Sequence, residues 1–189
     1  MNELPILPFA SVPIFEQWLL ENHTEFDGVW IKMSKKTSRI VSVNHDEALE
    51  VALCYGWIDG QRKSFDATFF LQKFTPRRAR SLWSKRNIAK IAQLTSEGRM
   101  QPSGLLEVEA AKQDGRWEAA YDSSKNMVFP EDFLKALEKN KPAQAFFKTL
   151  NKSSVYAIAF RLETAKKPET RQRRFDSMLT MLENGEKPH

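Results

Sequence analysis

Apolar and polar positions repeat with two different periods along this chain, and each change of period marks an element boundary. Ile14, Trp18 and Leu19 fall on one face of a short helix. From Gly28 the period shortens to two, with Val29, Ile31 and Met33 alternating against Trp30 and Lys32, which predicts a strand. Residues 39–43 alternate again around Ile40, Val41 and Val43, and the polar residues 34–38 between the two runs read as a hairpin loop, so these two strands are expected to pair. Asn44, with Glu47 three residues on, has the form of a capping box, in which each side chain satisfies a backbone N–H that lacks a helical partner. Leu49, Ala52 and Leu53 form the buried stripe of that helix, and Gly56 ends it. Residues 57–60 open a third strand and residues 67–74, with Phe69, Phe70, Leu71 and Phe74, a fourth.

After Arg80 the pattern turns to short helices with clear punctuation. Ser84 caps a run carrying Ile88, Ile91 and Ala92 that stops at Gly98, and Pro102 with Ser103 opens a run carrying Leu105, Val108 and Ala111 that stops at Gly115. Pro130 at a first helical position, with Glu131 and Asp132 at the positive dipole end, starts a helix whose Phe133, Leu134 and Leu137 face inward. Pro142, Ser154 and Pro168 open three more, carrying Phe146, Phe147 and Leu150, then Val155, Ile158 and Leu162, then Phe175, Met178, Leu179 and Leu182. The predicted fold class is α+β: a small, mostly antiparallel sheet with N-terminal helices, followed by an all-helical C-terminal half packed on it. Residues 1–80 would form the sheet-containing layer and residues 81–189 the helical layer of one compact unit.

Composition narrows the function. At 189 residues and 41% hydrophobic, with 13 Phe and 5 Trp, the chain can build a sizeable core, which excludes disordered and collagen-like classes. A single cysteine, Cys54, rules out an intramolecular disulfide, and three scattered histidines, His23, His45 and His189, offer no zinc spacing, so no metal or other cofactor is expected. Residues 1–13 hold Glu3 and no base, and no apolar run approaches about 18 residues, so a cytoplasmic protein without a membrane span is expected.

Charge is unevenly placed. Residues 1–60 carry Lys32, Lys35, Lys36 and Arg39 against nine acids, a net of −5, which leaves a net of +10 for residues 61–189. The densest block, residues 73–90, holds Lys73, Arg77, Arg78, Arg80, Lys85, Arg86 and Lys90 and no acid. Arg77, Arg78 and Arg80 follow Pro76 at a strand-to-helix connection, and Trp83, Ser84, Lys85, Arg86 and Asn87 stand where the next helix begins, with its unpaired N–H groups and positive dipole end. Together with Arg62 they form a candidate anion-binding set. Cations at a helix N-terminus are locally unfavourable by a few tenths of a kcal/mol, which a bound phosphate or carboxylate, or neighbouring acids, would offset. Nucleic acid is one candidate partner, because guanidinium groups interleaved with Phe74 and Trp83 could join phosphate contacts to base stacking. A small phosphate or carboxylate ligand, a protein partner and the chain's own acids are the others.

Cys54 lies near a helix C-terminus, where the dipole disfavours thiolate, so it reads as a buried structural residue. Asp59 with Gly60 reads as a turn or β-bulge signal, and Asp59 is also the one weak candidate for acid/base catalysis. In residues 161–174, Glu163 with Lys166 and Lys167, and Glu169 with Arg173, match the pairing of a solvated helix face.

The run Ala52-Leu-Cys-Tyr-Gly-Trp-Ile-Asp-Gly60, the run Lys73-Phe-Thr-Pro-Arg-Arg-Ala-Arg-Ser-Leu-Trp-Ser-Lys-Arg-Asn87, and the later markers Glu97-Gly-Arg-Met100, Asp114-Gly-Arg-Trp117, Glu163-Thr-Ala-Lys166 and Glu169-Thr-Arg171 resemble the bacteriocin-protection, YdeI/OmpD-associated family and fall in its order. The resemblance implies a non-enzymatic bacterial protein tied to bacteriocin or stress resistance, and it carries over no catalytic residue. Two functions therefore stand side by side. One is a binding protein for an anionic partner through the basic strand-to-helix segment. The other is an enzyme whose pocket lies between residues 57–62 and 77–87, with Asp59 as acid/base.

Overall fold

A computed structural model describes residues 3–122, 126 and 128–187. The fold is α+β, with a four-stranded mixed sheet and, among the described residues, eight helices. The order is β1 (Ile6–Pro8), α1 (Val12–Asn22), β2 (Val29–Ser34), α2 (His45–Cys54), β3 (Trp57–Ser64), β4 (Phe69–Pro76), then α3 (Lys85–Ser96), α4 (Pro102–Gln113), α5 (Glu131–Lys139), α6 (Lys141–Phe147), α7 (Lys152–Glu163) and α8 (Pro168–Glu183). Strands give way to helices after Pro76, while the chain divides into two compact units at Ala120/Tyr121, so α3 and α4 belong to the first unit.

In the first unit the sheet order is β1-β2-β4-β3. The short β1 runs parallel to β2, and the β2–β4 and β4–β3 pairings are antiparallel. Residues 39–43 are not a strand: β2 already has β1 on one edge and β4 on the other, so no ladder remains for them. They run outside the sheet, with Ile40 and Val41 exposed, tied down where Ser34 N–H donates to Ser42 Oγ at 2.9 Å and Val43 N–H donates to the Phe9 carbonyl at 2.9 Å.

Strand alternation turns Val29, Ile31, Met33 and Phe74 to one face, where they join Phe15, Leu19, Leu49, Leu53 and Trp57 in a continuous core. Ile14, expected on the buried face of α1, is half exposed, and Phe15 takes its place. The capping box of α2 is complete: Glu47 N–H donates to Asn44 Oδ1 at 3.1 Å and Asn44 N–H donates to Glu47 Oε2 at 2.9 Å. At its other end Gly56 takes φ +76°, and α4 crosses so close that a Cβ on Gly104 would stand 2.1 Å from the Cys54 carbonyl oxygen.

The second unit is helical and has its own core, Phe133 and Leu137 from α5, Ala143 from α6, Ile158 and Leu162 from α7, and Met178 and Leu182 from α8. Leu134, expected inside, is exposed. Pro130, expected as the first residue of α5, stands just before it at the N-cap position with no side-chain capping bond, and Asn151, not Ser154, caps α7, its Oδ1 accepting the Ser154 N–H at 2.9 Å.

Candidate functional site

Asp59 and Arg62 are three residues apart on β3, an odd spacing that would send their side chains to opposite faces of a regular strand. A β-bulge between them reverses that expectation. Asp59 pairs with Phe74 and Arg62 with Gln72, and because Phe74 and Gln72 are two apart on β4, both β3 residues face the same way. Gln72, 3% exposed, fills the irregularity by donating from Nε2 to the Gly60 carbonyl at 2.9 Å.

On that face Asp59 meets the first residue of α2. His45 Nε2 stands 3.1 Å from Asp59 Oδ2, and both side chains are about one-third exposed. The hydrogen bond to the carboxylate raises the imidazole pKa above its ordinary value, partial burial opposes the shift, and the charges of Asp59 and Asp46 add to it. Asp59 thus acquires a partner that lies fourteen residues away in the chain.

Beside this pair opens a cavity of about 580 Å³. Its cationic lining comes from Arg62 of β3, Lys35 and Lys36 just past β2, and His45. The Arg62 guanidinium lies 3.7 Å from the centre of the Phe70 ring, which also lines the cavity and holds the planar group flat. The hydroxyls of Ser34 and Ser42, 3.0 Å from each other, add neutral hydrogen-bonding groups. The acid in the lining, Asp46, is engaged by Arg86 at 2.5 Å. A planar cation on an aromatic shelf, two lysines, an imidazole and two hydroxyls suit a phosphate or carboxylate.

The remaining members of the candidate set lie elsewhere. Arg77 is 6% exposed, its guanidinium 3.5 Å over the Trp83 ring and its Nη1 donating to the Leu82 carbonyl at 3.4 Å. Trp83 is 1% exposed and packs on Trp117, and Phe74 is fully buried, so neither offers a ring face to a nucleic-acid base. Ser84 and Asn87 serve the start of α3, the Asn87 N–H donating to Ser84 Oγ at 3.1 Å. Arg78, Arg80, Lys85 and Arg86 are exposed, and Arg86 reaches Asp46. Arg62 alone of the basic set enters the cavity. His45, Lys35 and Lys36 were missed as site residues because their convergence depends on the β3 bulge and the path of residues 37–44, neither of which shows as local periodicity.

Cys54 is buried, and burial pushes its thiol up to about 11, which removes it as a nucleophile. Among the described residues no group of three or more His, Cys, Asp or Glu side chains could hold a metal ion, and His189 lies outside them. No helix among the described residues is long and apolar enough to cross a membrane.

A family model described as a domain of unknown function (DUF8412) matches residues 7–107, more than half of the chain. The chain belongs to the DUF8412 family. A second model, described as bacteriocin-protection, YdeI or OmpD-associated, matches residues 126–185 and agrees with the resemblance carried by the sequence markers. The markers at 163–171 fall in that second match, whereas those at 52–60 and 73–87 fall in the DUF8412 match. Each match lies within one compact unit, and every cavity residue named above belongs to the DUF8412 part. No curated protein and no solved structure matches the chain.

Proposed function

We propose that this protein is a non-enzymatic binder of a small anionic ligand bearing a phosphate or carboxylate, acting in the cytoplasm in a bacteriocin-protection or stress-related role. The observation that carries the reading is the Arg62 guanidinium laid on Phe70 at a cavity that Lys35, Lys36 and His45 also line, while Asp46 is tied to Arg86. The basic partner surface expected at the strand-to-helix segment is reduced, since Arg77 is buried on Trp83 and Arg86 is paired, while Arg78 and Arg80 are exposed. The second family match supports the protective role, and the single cysteine is compatible with a reducing compartment.

The test is a thermal-shift screen of phosphorylated and carboxylated metabolites on the intact protein. A ligand that raises the unfolding midpoint of the parent protein and loses at least about tenfold in affinity in Arg62→Ala supports the reading, a size expected for a charge-assisted bidentate contact. Stabilisation that survives Arg62→Ala contradicts it.

The His45–Asp59 contact favours a second reading, general acid/base chemistry at the cavity edge, because a carboxylate that orients an imidazole is a recurring arrangement for proton transfer. The two readings part on turnover: a ligand released chemically unchanged after prolonged incubation supports the binder, and a product whose formation is lost in His45→Gln supports the enzyme.

A further inference from the structure

The four strands together carry Lys32, Arg62, Lys63 and Lys73 and one acid, Asp59, which is bonded to His45 on the α2 side of the sheet. The opposite face therefore holds no strand carboxylate. Register places Trp30 of β2 beside Lys73 of β4, and in the next row aligns Lys32, Leu71 and Lys63 across β2, β4 and β3. Phe69 stands on the same face one row further, and Phe65 in the β3–β4 hairpin adds a ring that is 47% exposed. The ammonium groups sit against these rings: Lys63 Nζ is 4.2 Å and Lys73 Nζ 6.0 Å from the centre of Trp30, and Lys32 Nζ is 4.3 Å from Phe69 and 4.9 Å from Phe65.

We infer that this face binds single-stranded nucleic acid, with bases stacking on Trp30 and Phe69 and phosphates taken by Lys32, Lys63 and Lys73. Every base has a π-face, and a lysine whose ammonium lies over its aromatic partner can give up the ring for a phosphate when a base arrives, so one set of residues serves both roles. Trp30 and Phe69 are four residues apart along adjacent strands, about 14 Å from strand rise and spacing, a separation that a few extended nucleotides span. A duplex hides its base faces in the stack and could use the lysines alone. The hairpin carboxylate of Asp66 interacts with Lys32 and accepts the Thr68 and Phe69 N–H groups, and with Lys63 and Lys73 beside it the face keeps an excess of cations that complements a phosphodiester chain.

The test is fluorescence anisotropy of labelled oligouridylate and oligothymidylate with the full chain at several salt concentrations, against a duplex of equal length. Three phosphate contacts predict a log–log salt slope of about −2 for single strands, and Lys63→Ala/Lys73→Ala, a change at one exposed and one partly exposed side chain, should flatten it by about 1.4. Trp30→Ala should weaken binding about tenfold and Trp30→Phe should restore most of it, with circular dichroism confirming that each variant keeps its fold. No binding at low salt, equal or tighter binding of the duplex, an unchanged slope in the lysine variant, or equal affinity in Trp30→Ala would each overturn the inference. So would binding that is lost only in Arg78→Ala/Arg80→Ala, which would assign the nucleic acid to the strand-to-helix segment.

Discussion

Asp59 shows how one residue's meaning changes when its partner is found. Read alone it is a turn-former or a weak catalytic candidate, while opposite His45 it becomes an electrostatic anchor for the start of α2. Because the folded pKa of His45 is raised, its contribution to stability is fully present below the ordinary value near 6.5 and is lost as pH rises through the folded value. Urea unfolding should therefore show a midpoint that falls between about pH 6 and pH 8, by an amount worth on the order of 1 kcal/mol or less because both side chains are solvent-screened. Asp59→Asn should flatten that dependence; a midpoint equally pH-dependent in the variant would mean that another group is responsible. Cys54 gives a sharper expectation. With a pKa of about 11 and a buried sulfur, the native thiol should resist a disulfide reagent at pH 8 and react only after denaturation, whereas fast native labelling would show that the α2 end opens.

The junction of α2 and α4 leaves no room for a side chain at Gly104. A methyl group at Gly104 would collide with the backbone at Cys54, which cannot swing aside as a side chain could, so Gly104→Ala should destabilise at or beyond the upper end of the about 1–3 kcal/mol typical of overpacking. Chemical denaturation followed by tryptophan fluorescence checks this, and a loss below about 0.5 kcal/mol would show that α4 can move away. Nothing in the sequence around Gly104 announces the contact, because it joins segments fifty residues apart. Local signals fared differently: the Asn44–Glu47 box, the glycine stop at Gly56, the β3 and β4 runs and the proline-led helices are where the sequence puts them. Residues 39–43 misled because β-branched alternation reports a preference for extended backbone and not the availability of a free edge, which β1 and β4 had taken. The three-residue β1, ended by Pro8, is too short to show a period at all. Of the site, Arg62 and Asp59 were legible as residue types, but their shared face was not, since a bulge overrides the two-residue period that would separate them.

For the whole molecule, the split between an acidic N-terminal stretch and a basic remainder is partly consumed within the first unit. Arg86 pairs with Asp46 at 2.5 Å, and Glu50 receives Lys90 at 2.7 Å and Arg99 at 3.5 Å. Pairs as exposed as Arg86–Asp46 contribute about 0–1 kcal/mol, so their larger effect is to decide which cations stay available. Within the DUF8412 part, Arg62, Lys35 and Lys36 line the cavity and Lys32, Lys63 and Lys73 lie on the sheet face away from the core, while the second unit encloses a separate core. Sulfate probes the proposed anion site at Arg62 and His45 cleanly because it is dianionic at both about pH 6 and about pH 8, so any pH effect belongs to the protein. An amide NMR titration of the full chain with sulfate should shift resonances of residues 34–36, 45–46 and 62, bind more tightly at the lower pH, and lose these shifts in Arg62→Ala while keeping them in Arg78→Ala/Arg80→Ala. Shifts centred on residues 78–86, or none in the cavity at either pH, would overturn anion binding at Arg62 and His45.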